Sequence, residues 1–72
     1  MQKYRIKKNI RIVDIENTCY LYDCGKFVEY RLDKKATNLV RKINNKEDII
    51  DQDNVMLQQL LNYEIIVSDL QN

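Results

Sequence analysis

The stretch Phe27-Val28-Glu29-Tyr30-Arg31-Leu32-Asp33 decides the fold of this chain. From Phe27 to Leu32 it is rich in branched and aromatic residues, and charged residues alternate with apolar ones, as in a half-buried strand. Asp33 then offers a helix N-cap. Ala36, Leu39, Val40 and Ile43 follow at i, i+3, i+4 and i+7, one apolar helical stripe. The stretch is therefore expected to end a β-meander and run straight into a helix, which leaves it at a sheet edge. An edge strand carries unpaired N–H and C=O groups and can template another strand.

Upstream, Ile10 to Ile15 and Cys19 to Tyr22 read as two more strands. Glu16-Asn17-Thr18 is expected to form the first turn and Cys24-Gly25 the second, with Asn and Gly able to take left-handed backbone. A two-residue second turn sets Asp23 against Lys26, Leu21 against Val28 and Cys19 against Tyr30. A three-residue first turn sets Ile15 and Val13 against Cys19 and Leu21, and Arg11 against Asp23. One face then collects Val13, Ile15, Cys19, Leu21, Val28, Tyr30 and Leu32, the expected core. The other collects Ile10, Ile12, Tyr20, Tyr22 and Phe27 with Asp14, Glu29 and Arg31. That second face is aromatic enough to pack on the N-terminal arm through Tyr4 and Ile6, or to meet a partner.

Downstream, Asn44-Asn45 should stop the first helix. A brief second helix is expected over Glu47 to Asp51, its acidic first turn favoured by the helix dipole. A third, capped by Asp53 or Asn54, should reach Asn62 with Met56, Leu57, Leu60 and Leu61 inward. Ile65-Ile66-Val67 reads as a terminal strand or an apolar tail. The expected fold class is thus α+β, a three-stranded antiparallel meander followed by three α-helices in one domain, residues 1–72, with a basic arm over 1–9.

Composition narrows the function. The chain has no His, no Trp and no Pro among its 72 residues, and its net charge is +1. Without His the commonest acid–base group and metal ligand are missing. Cys19 and Cys24 lack a metal-binding spacing and would stand too far apart to join, so both read as structural thiols. No cofactor or metal is expected, and no catalytic residue: Asp14, Glu16, Glu29 and Asp69 are not brought together by their spacing. No apolar run approaches the ~20 residues that span a bilayer, and no signal peptide is evident, so a cytoplasmic location without membrane attachment is the expectation. Residues 1–35 hold nine Lys/Arg against five Asp/Glu, residues 36–72 three against six. The near-neutral total argues against a dedicated nucleic-acid binder.

The order of elements resembles a known family. The resemblance rests on Gly25-Lys26-Phe27-Val28-Glu29-Tyr30-Arg31-Leu32-Asp33 leading into Ala36, Leu39 and Ile43, and on Leu57, Leu60 and Leu61 before Tyr63-Glu64-Ile65-Ile66. It spans roughly residues 9–67 and is similar to the precursor-peptide recognition elements of ribosomally made, modified natural products, the PqqD-like peptide chaperones. The resemblance implies a winged-helix-like fold that is not catalytic. It further implies that the leader segment of a precursor peptide is held as an added strand, by β-augmentation, and delivered to a maturation enzyme of radical-SAM, cyclodehydratase or leader-peptidase type. Carried onto this chain, the receiving strand is Phe27 to Arg31 and the facing helix Asn54 to Asn62. The implied peptide-binding residues are Lys26, Phe27, Val28, Glu29, Tyr30 and Arg31 with Val55, Gln58, Gln59 and Asn62. The chain departs from the family in its short 51–53 connection, in Asp33 where Asn is frequent, and in Glu64 where Gly usually stands.

The alternative from another class is a winged-helix DNA-binding regulator. A DNA reader would set several basic or amide side chains along a recognition helix. The expected third helix has no Lys or Arg, although the first carries Lys34, Lys35, Arg41 and Lys42.

Overall fold

The structure, a computed structural model, describes residues 4–68. Strands β1 (Tyr4–Ile6), β2 (Ile10–Ile15), β3 (Thr18–Asp23) and β4 (Val28–Leu32) precede helix α1 (Lys34–Asn44). A 3-10 turn (Asp51–Asp53), helix α2 (Asn54–Asn62) and strand β5 (Ile66–Ser68) complete the order. An antiparallel sheet runs β2-β3-β4, and a separate pair joins β1 to β5. Residues Tyr4–Ile6 of the basic arm are thus a strand, with Tyr4 and Ile6 packed on the core. Lys3 and Asp69 lie outside the described residues.

The first hairpin departs from expectation. Glu16 and Asn17 both take positive φ, 49° and 68°, the signature of a two-residue type I′ turn. Ile15 therefore pairs with Thr18, Val13 with Tyr20, Ile12 with Leu21 and Ile10 with Asp23. That is one residue away from a three-residue turn, and a slip of one turns every side chain of the strand over. Ile10 and Ile12, not Val13 and Ile15, join Cys19 and Leu21 against the helices. Val13 and Ile15 are exposed, at 44% and 54%.

The second hairpin departs by two residues and keeps its faces. The loop Cys24-Gly25-Lys26-Phe27 is four residues long, and Asp23 pairs with Val28, Leu21 with Tyr30, Cys19 with Leu32. Tyr30 and Leu32 pack on the core as expected. Phe27 belongs to the loop, not the strand, with φ 56° and 79% exposure. Cys19 is buried and Cys24 exposed, both as free thiols.

Helix α1 begins as its sequence requires. The Asp33 carboxylate accepts from the Ala36 amide at 2.8 Å, and Ala36, Leu39, Val40 and Ile43 are buried. It ends when Lys46, at φ 60°, lets its own N–H reach the Ile43 carbonyl and the Glu47 N–H reach that of Lys42. This is a Schellman closure. It explains why the expected helix over Glu47 to Asp51 is missing: Glu47 is spent on capping α1, and only the 3-10 turn at Asp51–Asp53 follows. Among the described residues the α-helices therefore number two, not three. Helix α2 closes in the same way, with Ile65 N–H on Leu60 and Glu64 N–H on Leu61. Its C′ residue is Glu64 at φ 61°, the left-handed position that Gly usually fills.

The core lies between the inner face of the sheet and the two helices. Leu21, Leu39, Val40, Ile43, Leu60, Ile65 and Ile66 are each no more than 2% exposed.

Candidate functional site: the open edge of the sheet

Main-chain geometry defines the site. The Cys24 N–H donates to the Asn9 carbonyl at 2.9 Å, extending the β2–β3 register by one pair. In an antiparallel ladder hydrogen-bonded pairs alternate with non-bonded ones, so Arg11, Val13 and Ile15 bond to β3 through Tyr22, Tyr20 and Thr18. Cys19, Leu21 and Asp23 must then bond to Leu32, Tyr30 and Val28 of β4. The amide and carbonyl groups of Glu29 and Arg31 are left pointing away from the sheet. Among the described residues no strand pairs with that edge, because β5 pairs with β1.

Beside the edge runs a groove of about 340 Å³ between β4 and α2. Tyr30, Leu32, Ala36, Leu60 and Ile65 form its apolar lining, and Met56, Gln59 and Tyr63 line it from the helix side. The Tyr30 and Tyr63 rings meet with centroids 5.7 Å apart, tilted by 59°, a favourable aromatic geometry. Glu29 and Arg31 line it from the strand.

One buried carboxylate shapes the loop at the head of β4. Asp23 is the single buried polar or charged side chain among the described residues. Its Oδ1 accepts from Asn9 Nδ2 at 2.7 Å and from the Gly25 and Lys26 amides at 2.9 and 3.0 Å. Burial pushes its pKa up. The Lys26 amide, the Asn9 side chain and the Gly25 amide, with the Lys26 charge, pull harder the other way and leave it below its ordinary value. Among the described residues Oδ2 has no hydrogen-bond partner. Gly25 does not take a positive φ; a Cβ there would stand 3.1 Å from Asn9 Nδ2 and 3.3 Å from Asp23 Oδ1, so those two side chains would have to give by a few tenths of an ångström.

The loop is also tied to the end of α2. Lys26 Nζ lies 2.6 Å from Glu64 Oε1, and Lys7 Nζ lies 3.9 Å from Glu64 Oε2. The hydrogen bond and charge of Lys26 hold the Glu64 pKa below its ordinary value, and the same bond raises that of Lys26. Glu64 thus takes a strained backbone position while its carboxylate bridges two loops.

The residues expected to bind peptide divide into three sets. Glu29, Tyr30, Arg31 and Gln59 line the groove. Lys26, Phe27 and Val28 stand at its loop end, Lys26 engaged with Glu64 and Phe27 projecting into solvent. Val55, Gln58 and Asn62 are exposed on α2 and do not line it. The residues that line it from α2 and its C-cap are Met56, Gln59, Leu60 and Tyr63. Met56 and Tyr63 stand four and three positions from buried Leu60, and that spacing was the available signal, since residues so spaced share a helix face.

A larger concavity, about 590 Å³, lies beside α1 and the 47–53 segment. Its charges are mixed and partly engaged: Lys42 meets Asp53 at 3.1 Å, and Arg41 meets Asp14 at 2.8 Å. No strand edge borders it. Among the described residues no group of three His, Cys, Asp or Glu side chains could hold a metal ion, and no helix is long and apolar enough to cross a membrane. Comparison with family models, with curated proteins and with solved structures gives no match.

Proposed function

We propose that this domain holds an extended peptide as a fourth strand on β4, against α2, and presents it to a separate modifying enzyme. The guest on this reading is the leader segment of a ribosomally made precursor, as the resemblance to PqqD-like recognition elements implies. The observation that carries the reading is the unpaired edge of β4 with an apolar groove directly beside it. The role needs no catalytic group and no cofactor.

Magnitudes assign the work. A guest strand across Glu29 and Arg31 makes up to four main-chain hydrogen bonds, at a net of roughly 0.5–1.5 kcal/mol each. Micromolar affinity needs about 8 kcal/mol net, after a cost of association of at least about 4 kcal/mol. The backbone ladder alone falls short, so side chains inserted beside Tyr30, Met56, Leu60 and Tyr63 must supply the remainder.

The DNA-binding alternative draws less support. Helix α2 carries no Lys or Arg, and two of the four cations on α1, Arg41 and Lys42, are engaged with Asp14 and Asp53.

The test is amide exchange during titration with candidate leader peptides. The Glu29 and Arg31 amides should become protected while those of β2 do not change. Glu29→Pro removes one outward donor at an edge, where proline is tolerated. It should weaken binding well beyond Glu29→Ala. Peptide binding with no protection at either amide would refute strand addition.

A further inference from the structure

The side chains of β4 specify the charge order of the strand that completes it. Resting on the strand-addition reading above, we infer that the edge selects an antiparallel guest with an acidic residue followed two positions later by a basic one, apolar residues lying between and outside them.

The argument starts from which way each residue points. Tyr30 and Leu32 pack on the core and Val28 shares their side of the strand while remaining exposed, whereas Glu29 and Arg31 lie on the outer face, beside Tyr22 and Tyr20. Both charged side chains are exposed, and among the described residues neither enters an ion pair. They are also the two residues whose main-chain groups reach outward. A guest must therefore bond directly across from them, and the guest side chains there stand on the outer face beside Arg31 and Glu29. Directly opposed residues have Cβ atoms about 4.5–5.5 Å apart, near enough for opposite charges to help and like charges to hurt.

Chain direction then orders the charges. An antiparallel guest meets Leu32 first, then Arg31, Tyr30, Glu29 and Val28. From its N-terminal end it should read apolar, acidic, apolar, basic, apolar. Its central residue points inward over Tyr30 and the groove, where Leu60 and Tyr63 wait. The strand β4 itself, Val28-Glu29-Tyr30-Arg31-Leu32, has this same order, so its own sequence is a suitable guest.

The experiment uses the whole chain and two fluorescent, end-capped peptides. One copies residues 27–33; the other has the residues corresponding to Glu29 and Arg31 exchanged. At low salt the native-order peptide should bind about tenfold tighter, since two opposite-charge pairs replace two like-charge pairs. The double variant Glu29→Arg, Arg31→Glu should prefer the exchanged peptide. At 1 M salt, where the Debye length is about 3 Å, both preferences should collapse. Equal binding of the two peptides at low salt would overturn the charge order and leave strand addition standing. A preference of the unaltered protein for the exchanged peptide would overturn the antiparallel direction, because a parallel guest aligns like with like. Failure of both peptides to bind, with no protection of the Glu29 and Arg31 amides by any extended peptide, would overturn the underlying reading as well.

Discussion

The two hairpins of the meander share β3, yet their turns have unequal consequences. At Glu16-Asn17 the turn is one residue shorter than its composition suggests, and the whole of β2 rolls over. At Cys24–Phe27 the loop is two residues longer, and β4 keeps its inner and outer faces. A sheet has a side-chain period of two, so an odd error in a turn inverts a strand and an even one only slides it. The edge that carries the candidate site belongs to the strand whose faces are insensitive to the error.

The comparison can be broken most forcefully at the strand both hairpins use. Leu21, fully buried on β3, pairs with Ile12 on one side and Tyr30 on the other. Leu21→Ala should destabilise by about 2–5 kcal/mol, read by urea titration with the slope unchanged. A sharper test separates the two faces of β2. Ile12→Ala should cost roughly 1–3 kcal/mol because Ile12 packs on the core. Val13→Ala should stay within about 0.5 kcal/mol because Val13 is exposed. If the two costs were reversed, the register of the first hairpin would be wrong.

The turn itself gives a smaller and stabilising effect. Replacing Glu16 by Asn and Asn17 by Gly installs the pair that type I′ turns prefer. It should raise stability by about 1 kcal/mol, since left-handed backbone is costly for Glu. In a three-residue turn the same change would bring no such gain.

The smallest effect concerns the second hairpin's tie to α2. Glu64 is held below its ordinary 4.5 and Lys26 above its ordinary 10.5. A depressed acid contributes fully above its unfolded pKa and loses the contribution as pH falls through the folded one. A raised base contributes fully below its unfolded pKa and loses it as pH rises through the folded one. The bridge therefore works between those two values. The difference in Tm between the parent and Lys26→Met should be small at neutral pH, vanish in acid, and shrink in high salt.

Much of the fold was legible because its signals are local. Asp33, the stripe from Ala36 to Ile43, and Leu57 with Leu60 marked both helices and their buried faces. The three strands of the meander and their order were legible too. What stayed hidden depends on backbone choices that residue type does not announce: positive φ at Glu16, Lys46 and Glu64. With Lys46 closing α1, residues 47–50 form an irregular segment where a helix was expected, and Glu16 inverted β2. The pairing of β1 with β5 is non-local and leaves no periodic trace in three-residue strands. Along the strand, Glu29, Tyr30 and Arg31 of the groove were readable from alternation, whereas Lys26, Phe27 and Val28 stand at its loop end. On the helix side Gln59 was expected and lines the groove, whereas Val55, Gln58 and Asn62 were expected where Met56, Leu60 and Tyr63 line it.

The pairing of Tyr4 with Ser68 has a practical corollary. The places where the described backbone enters and leaves sit next to each other, so a short linker could join them and the chain could be reopened at the exposed Glu16-Asn17 turn. Such a permuted version would keep every strand partner while moving both attachment points to the opposite end of the first hairpin. Probes or carriers fused there would approach the molecule from a new direction.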